Sequence, residues 1–556
     1  MKELFIGFDA NGKKILLTPE DRANHMHIIG STRSGKSKFL EWMIRQDIRN
    51  GSGFCVIDPH GTLYEDIVKW CGYHWLSDRD IILLNPSSGD HILGFNPFRR
   101  AMGDPSVQVD YQITATIRAW GMEDTDETPT LERWLRCIFQ TLIEKDQTIA
   151  AAESLINYFE DDVRKFLTSD ISKQIIRDEW KGISLAKTPK QFDDQILSTK
   201  NKLFRFLCSD QIKRFMGLKT PNIDLGRIMD EGKILLVNLA ESDHLSRDNA
   251  RLFGALLVNE FFQLAKRRRK DEWGDSPRPF YLYIDEFQNF VTPDIGYILA
   301  QSLKFGLNLI LAHQSLGQIE KRDKELIDAV LTNAKIKAVF GGLTREYAKL
   351  MAEELFINQL DLKEIKKAIY QTKFWPTYSR DKIYTSSHTS GVSTSQASSW
   401  GSSIHEAEGE GWFGIPTVTS TTGSYGEVSG SGEFDADTYG VADIPIFIPV
   451  PFQELSSVQY WTLEEQIWRM SDALKEQFPR HCFIKILNQK TQPLLVPLVK
   501  EFYLHKDDLL HYQEDLYQKI KAIPMKEADR IVSEQRVELE SLAKPEEIKY
   551  PVKFRE

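Results

Sequence analysis

Short apolar runs alternate with helical patterns over the first hundred residues of the chain. Residues 26–30, 53–58 and 80–86 are mostly apolar, as is typical of strands that are buried on both faces. Between the first two runs, the apolar positions of residues 36–50 recur at the i, i+3, i+4 spacing of a helix. Strands that alternate with helices predict a parallel sheet between two layers of helices.

The pattern changes after residue 103, where strand-like runs disappear and helical spacing dominates until about residue 224. Strand-like runs then resume at residues 232–239, 280–284, 307–312 and 336–340. We therefore expect an all-helical insertion that divides one α/β core into two parts along the chain.

The remaining sequence differs in composition. Residues 385–443 are dominated by Ser, Thr and Gly, a composition typical of a flexible loop or linker. Beyond them, proline-interrupted apolar sequence precedes helical and strand-like patterns. The predicted organisation is a first core part (1–103), a helical insertion (104–224), a second core part (225–384), a flexible segment (385–443) and a C-terminal extended and helical appendage (444–556).

Composition and charge narrow the class of protein. The 556 residues are 41% hydrophobic and 27% charged, with a formal net charge of −10, which fits a soluble globular protein of two or more domains. The acidic balance argues against coating nucleic acid through bulk charge, but not against gripping it in a narrow channel. The five cysteines are widely spaced and indicate reduced thiols. No apolar run is long enough for a membrane span, and a cytoplasmic location is expected.

One motif carries specific chemistry. It matches the phosphate-binding loop pattern G-x-x-x-x-G-K-[ST] and lies between a predicted strand and a predicted helix. Its glycines allow a tight turn, and successive N–H groups at the helix start form a nest for phosphate. The lysine reaches the β- and γ-phosphates of ATP, and the final serine ligates Mg²⁺. The residues are Gly30, Ser31, Thr32, Arg33, Ser34, Gly35, Lys36 and Ser37.

A pair of carboxylates ends the apolar run 280–284. Asp285 is predicted to hold the Mg²⁺ shell, and Glu286 to polarise the attacking water. The alternative is that both residues only cap the next helix. The next apolar run ends in His313 and Gln314. Gln314 suits a sensor of the γ-phosphate through its amide, whereas His313 is expected to be a packed strand-end residue.

Several other positions leave two interpretations open. Asp58, at the end of a predicted strand, either positions water or Mg²⁺ or caps the turn that follows it. Arg33 either touches phosphate or points outward. The basic run 266–270 either binds DNA phosphate or is a solvated helix end.

Five motifs in this order resemble the FtsK–HerA superfamily of DNA-pumping ATPases. The similarity covers about residues 1–380 and is strongest toward HerA-type helicases and the soluble ATPase domain of type IV secretion coupling proteins. The sequence motifs are GSTRSGKS at 30–37, IDPHG at 57–61, FNPF at 95–98, IDEFQ at 284–288 and AHQ at 312–314.

The resemblance implies a RecA-like core assembled as a homo-hexameric ring, with double-stranded DNA in the channel and ATP between subunits. It also implies that a neighbour's arginine completes each site. Arg345 is the first candidate for this residue, and Lys337 and Arg480 are weaker candidates. The sequence departs from relatives in two ways. About 25 residues precede the loop, too few for the β-barrel of HerA helicases, and the transmembrane helices of coupling proteins are not found.

The leading functional hypothesis is an ATP-hydrolysing HerA-type motor that translocates or unwinds double-stranded DNA. It would work with a partner nuclease or a sirtuin-like NAD-consuming effector, with antiviral defence as one setting for such a pair. One alternative is an assembly platform for such an effector with little motor activity. The other is a coupling-type ATPase for conjugative DNA transfer.

Overall fold

The computed structural model describes residues 2–100, 103–120, 129–268, 277–290, 294–320, 324–387 and 438–544. The chain divides into two compact units, one of Met1–Asp361 with Thr462–Glu556 and one of Leu362–Trp461. No disulfide joins the five cysteines, all of which lie in described residues. None of the helices in the described ranges combines the length and apolar content that crossing a bilayer requires.

The strands are short, except for two of 23 residues each. In chain order they are β1 (Leu4–Phe8), β2 (Lys14–Leu17), β3 (Met26–Ile29), β4 (Gly53–Asp58), β5 (Ile81–Leu84), β6 (His91–Ile92), β7 (Ile234–Asn238), β8 (Phe280–Ile284), β9 (Leu307–His313), β10 (Ile336–Phe340), β11 (Ile365–Ser387), β12 (Thr438–Tyr460), β13 (His481–Ile486), β14 (Gln492–Leu495) and β15 (Ile523–Pro524).

The helices lie mainly between these strands and in the insertion. They are α1 (Pro19–Arg22), α2 (Lys36–Asn50), α3 (Thr62–Tyr73), α4 (Pro105–Ala119), α5 (Pro129–Glu144), α6 (Ala152–Leu155), α7 (Asp161–Thr168), α8 (Gln174–Ser184), α9 (Pro189–Leu207), α10 (Asp210–Met216), α11 (Leu225–Glu231), α12 (Arg247–Arg267), α13 (Asp294–Gln301), α14 (Leu316–Glu320), α15 (Lys324–Asn333), α16 (Arg345–Phe356), α17 (Leu463–Lys475), α18 (Lys506–Lys519) and α19 (Met525–Ala543).

The larger unit is built on one sheet in the order β2-β1-β14-β13-β10-β3-β9-β8-β4-β7-β5. From β10 to β5 every neighbouring pair is parallel. All residues of β3, β4, β7, β8, β9 and β10 are buried. Burial on both faces explains their continuous apolar sequence. The mostly parallel sheet between helices agrees with the prediction.

The insertion is helical, as its spacing predicts. Helices α4 to α10 fill residues 104–224, and no strand occurs in the part of this range that the structure describes. Trp134 and Trp180 pack at its centre, with ring centroids 5.4 Å apart. These side chains join the core on one face of the main sheet, so the insertion and the sheet share one apolar core.

The predicted C-terminal appendage (444–556) is divided in the structure. Its strand β13 pairs with β10, antiparallel, inside the main sheet, and β14 pairs with both β13 and β1. This part of the predicted appendage therefore belongs to the main sheet, and alternate residues of β13 are buried. Residues from Thr462 onward belong to the larger unit.

The smaller unit is a two-stranded hairpin of β11 and β12, whose register runs from Ile365↔Tyr460 to Ser387↔Thr438. It corrects two predicted boundaries. The second core part ends at Asp361 rather than at 384, since the aromatic-rich sequence that follows forms β11. Of the predicted flexible segment (385–443), both ends are strand, and residues 388–437 lie outside the described part of the chain.

Candidate nucleotide-binding site

The phosphate-binding loop joins β3 to α2, as its sequence predicts. Arg33 and Gly35 have positive φ angles of 65° and 112°, which curl the backbone in the left-handed region. Ser34 closes the curl, because its hydroxyl donates to the carbonyl oxygen of Ser31 at 2.8 Å. Helix α2 then begins at Lys36, and Gly35 supplies no side-chain cap. The N–H groups of its first turn are therefore available to an anion.

Two neighbouring strands anchor this loop through its backbone. The N–H of Gly30 donates to the carbonyl of His313, and the N–H of Ser31 donates to the carbonyl of Gly341 at 3.0 Å. Gly342 has a φ of +82°, and a Cβ there would lie 2.0 Å from the hydroxyl oxygen of Ser31. Only glycine therefore fits at 342 without displacing the loop.

A third support comes from the C-terminal part of the chain, which sequence reasoning missed. The N–H of Arg480 donates to the carbonyl of Ser34 at 2.9 Å. The Arg480 guanidinium donates in turn to the carbonyl of Val496 at 2.8 and 3.0 Å. Only the pairing of β13 with β10 brings this segment to the loop, and no local motif marks it.

Three of the four predicted catalytic side chains meet beside the loop. The Lys36 ammonium lies 4.0 Å from Oε1 of Glu286, and Nε2 of Gln314 donates to the same oxygen at 2.7 Å. The Thr32 hydroxyl donates to Oε1 of Gln314 at 3.1 Å. Gln288, which sequence reasoning did not assign to the site, donates to the other Glu286 oxygen at 2.7 Å. Glu286 is thus held from two sides.

Glu286 also has unusual backbone geometry. Its φ of 46° is in the left-handed region, where a non-glycine residue is uncommon and costs energy. Its side chain is 5% exposed. This conformation turns the chain sharply at the end of β8 and keeps the carboxylate within reach of Lys36 and Gln314.

Negative charge is crowded at this edge of the sheet. Burial, together with the carboxylates of Asp58 and Glu286, raises the pKa of Asp285 to about 7, although Lys36 opposes the shift. Burial lowers the pKa of Lys36, against the pull of Glu286 and Asp285. Two carboxylates thus act on one ammonium group while Asp58 adds a third negative charge beside Asp285, and an added cation would relieve the repulsion.

This donor set fits Mg²⁺ that arrives with ATP. Asp285 is buried and Ser37 is exposed at the first turn of α2, and both supply the hard oxygen ligands that Mg²⁺ prefers. Among the described residues there is no cluster of three or more His, Cys, Asp or Glu that could hold a metal ion alone. Nucleotide oxygens would complete the shell, as expected for Mg²⁺.

Asp58 caps the turn that follows β4, which is the structural one of the two roles considered for it. Its carboxylate accepts hydrogen bonds from the backbone N–H of His60 at 2.8 Å and of Tyr64 at 2.9 Å. It therefore caps the turn that leads into α3. The same carboxylate contributes to the raised pKa of Asp285, so it also acts on the site through its charge.

His313 is packed in the core beside the site. Its Nε2 lies 2.6 Å from Nε2 of His27 on the neighbouring strand, and both side chains are 0% exposed. Burial lowers the pKa of His27 to about 3 and that of His313 well below its ordinary value. Both rings are neutral, one donating to the other, which suits a packing role rather than acid–base catalysis.

The three candidates for the arginine of a neighbouring subunit differ in their surroundings. Arg345 is exposed at the start of α16, three residues after Gly342. Lys337 is buried and pairs with Glu354 at 2.9 Å, and Arg480 is engaged within its own chain. Arg345 thus stays the predicted residue. Arg33 is exposed on the loop.

Two of the basic residues in the run 266–270 make polar contacts within the chain. Lys266 donates to the Tyr111 hydroxyl at 2.6 Å, and Arg268 pairs with Asp230 at 2.8 Å. Residues 269 and 270 lie outside the described ranges. The contacts favour the structural interpretation of a helix end.

Comparisons with known proteins agree on one group. A family described as the TraM recognition site of TraD and TraG matches residues 279–359. The type 4 coupling protein DotL of Legionella pneumophila is 21% identical over 438 residues, which cover 67% of this chain and 55% of DotL. The chain thus spans about half the length of this curated relative.

A solved structure supports the fold. The bacterial conjugative coupling protein TrwB aligns with a TM-score of 0.50 and 12% identity, and the alignment covers 90% of this chain and 90% of TrwB. TrwB in complex with ADP and Mg²⁺ has a TM-score of 0.49, 12% identity, and coverage of 91% of this chain and 96% of TrwB. The predicted resemblance to coupling-protein ATPases is confirmed. The RecA-like α/β core is confirmed with it.

Proposed function

We propose that this chain is an ATPase of the type IV coupling-protein kind, which uses ATP and Mg²⁺ to move DNA. The observation that carries the proposal is the convergence of Lys36, Glu286 and Gln314 beside the phosphate-binding loop. The likeness to DotL and TrwB, described as coupling proteins, supports the DNA-transfer role. Double-stranded DNA is the proposed substrate.

Each residue has a defined task in this proposal. The first-turn N–H groups of α2 and the Lys36 ammonium bind the phosphates and offset the charge that develops on the γ-phosphoryl group. Ser37 and Asp285 hold Mg²⁺. Glu286 orients the attacking water for in-line displacement. Gln314, already bonded to Glu286 at 2.7 Å, reports whether the γ-phosphate is present.

Glu286 is placed to change partners during the cycle. In the structure its two oxygens accept hydrogen bonds from Gln314 and Gln288 at 2.7 Å each. When ATP brings a γ-phosphate beside Lys36, Gln314 can donate to it and release one Glu286 oxygen for water. Hydrolysis would then be tied to a complete nucleotide.

The comparisons favour this conjugative or type IV alternative over the HerA-type helicase. A nuclease or NAD-consuming partner and a role in antiviral defence receive no support from the relatives found. The hexameric ring and the trans-acting Arg345 stay predictions. Native mass measurement with ATP analogue and duplex DNA tests the ring, and a stable monomer would contradict it.

The proposed DNA movement can be tested by displacement of a triplex-forming oligonucleotide from duplex DNA. The wild type is expected to displace it only with ATP and Mg²⁺, and Lys36→Ala is expected to displace none. ATP hydrolysis without displacement, and without stimulation by duplex DNA, would contradict a motor and favour the assembly platform.

A further inference from the structure

A lysine-rich cleft lies at the amino end of β10, whereas the nucleotide site lies at the carboxyl ends of the parallel strands. It has a volume of about 560 Å³ and lies among the start of β10, the end of α16 and the turn between β13 and β14. We call it the lysine cleft and define it by Lys335, Lys337, Lys485 and Lys490. Glu354 is the single carboxylate among its lining residues, which also include four carboxamide side chains.

Two of the lysines face each other across neighbouring strands. Lys337 of β10 is directly opposite Lys485 of β13, and like charges in this position destabilise a sheet. Glu354 offsets part of the repulsion, since its carboxylate pairs with Lys337 at 2.9 Å and its backbone carbonyl accepts from Lys485 at 2.7 Å. Lys335 and Lys490 add two exposed positive charges.

The cleft therefore keeps an excess of positive charge. Four ammonium groups face one carboxylate, in a protein whose formal net charge is −10. Burial lowers the pKa of Lys337, Glu354 opposes this effect, and the neighbouring Lys485 and Lys335 add to it. Lys485 and Lys335 thus add positive charge around Lys337, and an anion would offset it.

We propose that the lysine cleft binds phosphate groups of a nucleic-acid backbone. Ammonium and carboxamide groups are both donors to phosphate oxygens. The rim is exposed at Lys335, Lys490 and Asn488, which leaves room for a polymer to pass. Naming nucleic acid as the ligand rests on the proposed function, whereas the positive cleft itself does not.

The cleft shares two strands with the nucleotide site. Strand β10 starts in the cleft and leads to Gly341, which binds the phosphate loop, and β13 runs from Arg480 to the cleft. At about 3.3 Å per residue, the two sites are separated by roughly 20 Å along these strands. A phosphate bound in the cleft would therefore contact the strands that support the loop.

The test measures binding of duplex DNA by fluorescence anisotropy at several KCl concentrations. The variant Lys335→Glu/Lys490→Glu changes two exposed residues outside the nucleotide site, so ATP hydrolysis without DNA should be unchanged. The slope of log association constant against log salt is expected to become smaller by about 2, or about one for each phosphate that the variant no longer neutralises. A milder variant, Lys335→Gln/Lys490→Gln, should shift the slope in the same direction.

The matched control is Lys173→Glu/Lys190→Glu, which makes the same charge change at two exposed lysines of the insertion. Its slope should equal that of the wild type. Equal reductions in both glutamate variants would overturn the proposal, since bulk charge would then explain them. Binding of poly-glutamate is measured on the same variants. If Lys335→Glu/Lys490→Glu binds DNA with the wild-type slope but no longer binds poly-glutamate, the proposal is also overturned, and an acidic protein partner is indicated.

The same experiment separates this inference from the proposed function. If the wild type binds DNA and the cleft variants bind it equally well, the cleft proposal fails and the DNA motor stands. If the wild type binds no DNA under any condition tested, both fail. Retained affinity in Lys335→Arg/Lys490→Arg, with reduced affinity in the glutamate variant, supports charge recognition at the cleft.

Discussion

The two ends of the parallel strands carry sites of opposite charge. At the carboxyl ends of β4 and β8, Asp58, Asp285 and Glu286 crowd together near one lysine, Lys36, and the pKa of Asp285 is raised to about 7. At the amino end of β10, the four lysines of the lysine cleft line the same cavity as one glutamate. Each site carries a charge that its own side chains do not balance, which is the physical signature of a ligand of the opposite sign.

The sites differ in how their charged groups are held. The nucleotide site has buried groups fixed by short hydrogen bonds, such as the 2.7 Å bond between Gln314 and Glu286, which suits chemistry that depends on geometry. The lysine cleft has two fixed lysines and two exposed ones, which suits attraction of a polymer.

Removal of the single positive charge at the acidic site should have the largest effect. In Lys36→Ala, ATP turnover is expected to fall at least about a hundredfold, because the developing phosphoryl charge loses its cation. The measurement is phosphate release, with nucleotide affinity from calorimetry. Lys38→Ala, two positions along α2, removes a partly exposed lysine that pairs with Glu41 and Asp66 and should retain near-normal turnover. Equal rates in the two variants would show that Lys36 is not in the site.

Removal of a crowded carboxylate should stabilise the chain in a pH-dependent way. Folding raises the pKa of Asp285 from 3.8 to about 7, so stability from this group is present below about pH 4 and is lost as pH rises through 7. Asp285→Asn cannot ionise and should unfold at a higher temperature than wild type at pH 8. The gain should be at most about 4 kcal/mol, since the pKa is raised from 3.8 to about 7 and one pKa unit is worth about 1.4 kcal/mol.

At pH 4.5 the same variant should unfold close to the wild-type temperature, since Asp285 is then protonated in the folded chain. Asp243→Asn, at an exposed position, is the control and should follow the wild-type profile at both pH values. A stability gain for Asp285→Asn that is equal at pH 4.5 and pH 8 would contradict the charge-crowding explanation. Saturating Mg²⁺ and ATP analogue should remove the advantage of the variant at pH 8.

The smallest effect is expected at Gly342, which packs against the phosphate-binding loop. Gly342 and Gly12 both have positive φ angles, +82° and +77°, but only at Gly342 does a Cβ meet another atom, the Ser31 hydroxyl. Gly12→Ala should cost about 1 kcal/mol of unfolding free energy, from backbone strain alone. Gly342→Ala should cost more and should also weaken nucleotide binding. Equal losses of unfolding free energy in the two variants, with unchanged nucleotide binding, would show that Gly342 does not shape the loop.

Residues at the carboxyl ends of parallel strands could be predicted from sequence. Apolar runs that end in Asp285 or Gln314 locate those side chains at one edge of a sheet, and the glycine-rich loop marks the same edge. The pairing of β13 with β10 could not be predicted, because periodicity identifies strands but not their neighbours. For that reason Arg480 was not placed at the loop, and Lys485 was not placed opposite Lys337.

The hairpin of β11 and β12 shows the same limit. Three prolines in β12 indicate extended chain but do not identify its partner. The aromatic residues of β11 belong to this hairpin rather than to the core, as with Trp375, which is 66% exposed. Apolar composition alone did not separate an exposed strand from a buried one.

We propose that ATP is hydrolysed beside the phosphate-binding loop, with Glu286 at the end of β8 orienting the attacking water. Glu286→Gln tests it most directly, with phosphate release and binding of a non-hydrolysable ATP analogue measured on the same preparation with Mg²⁺. Turnover is expected to fall about a hundredfold or more, whereas analogue binding stays within a few-fold of wild type. Wild-type turnover in this variant would contradict the claim.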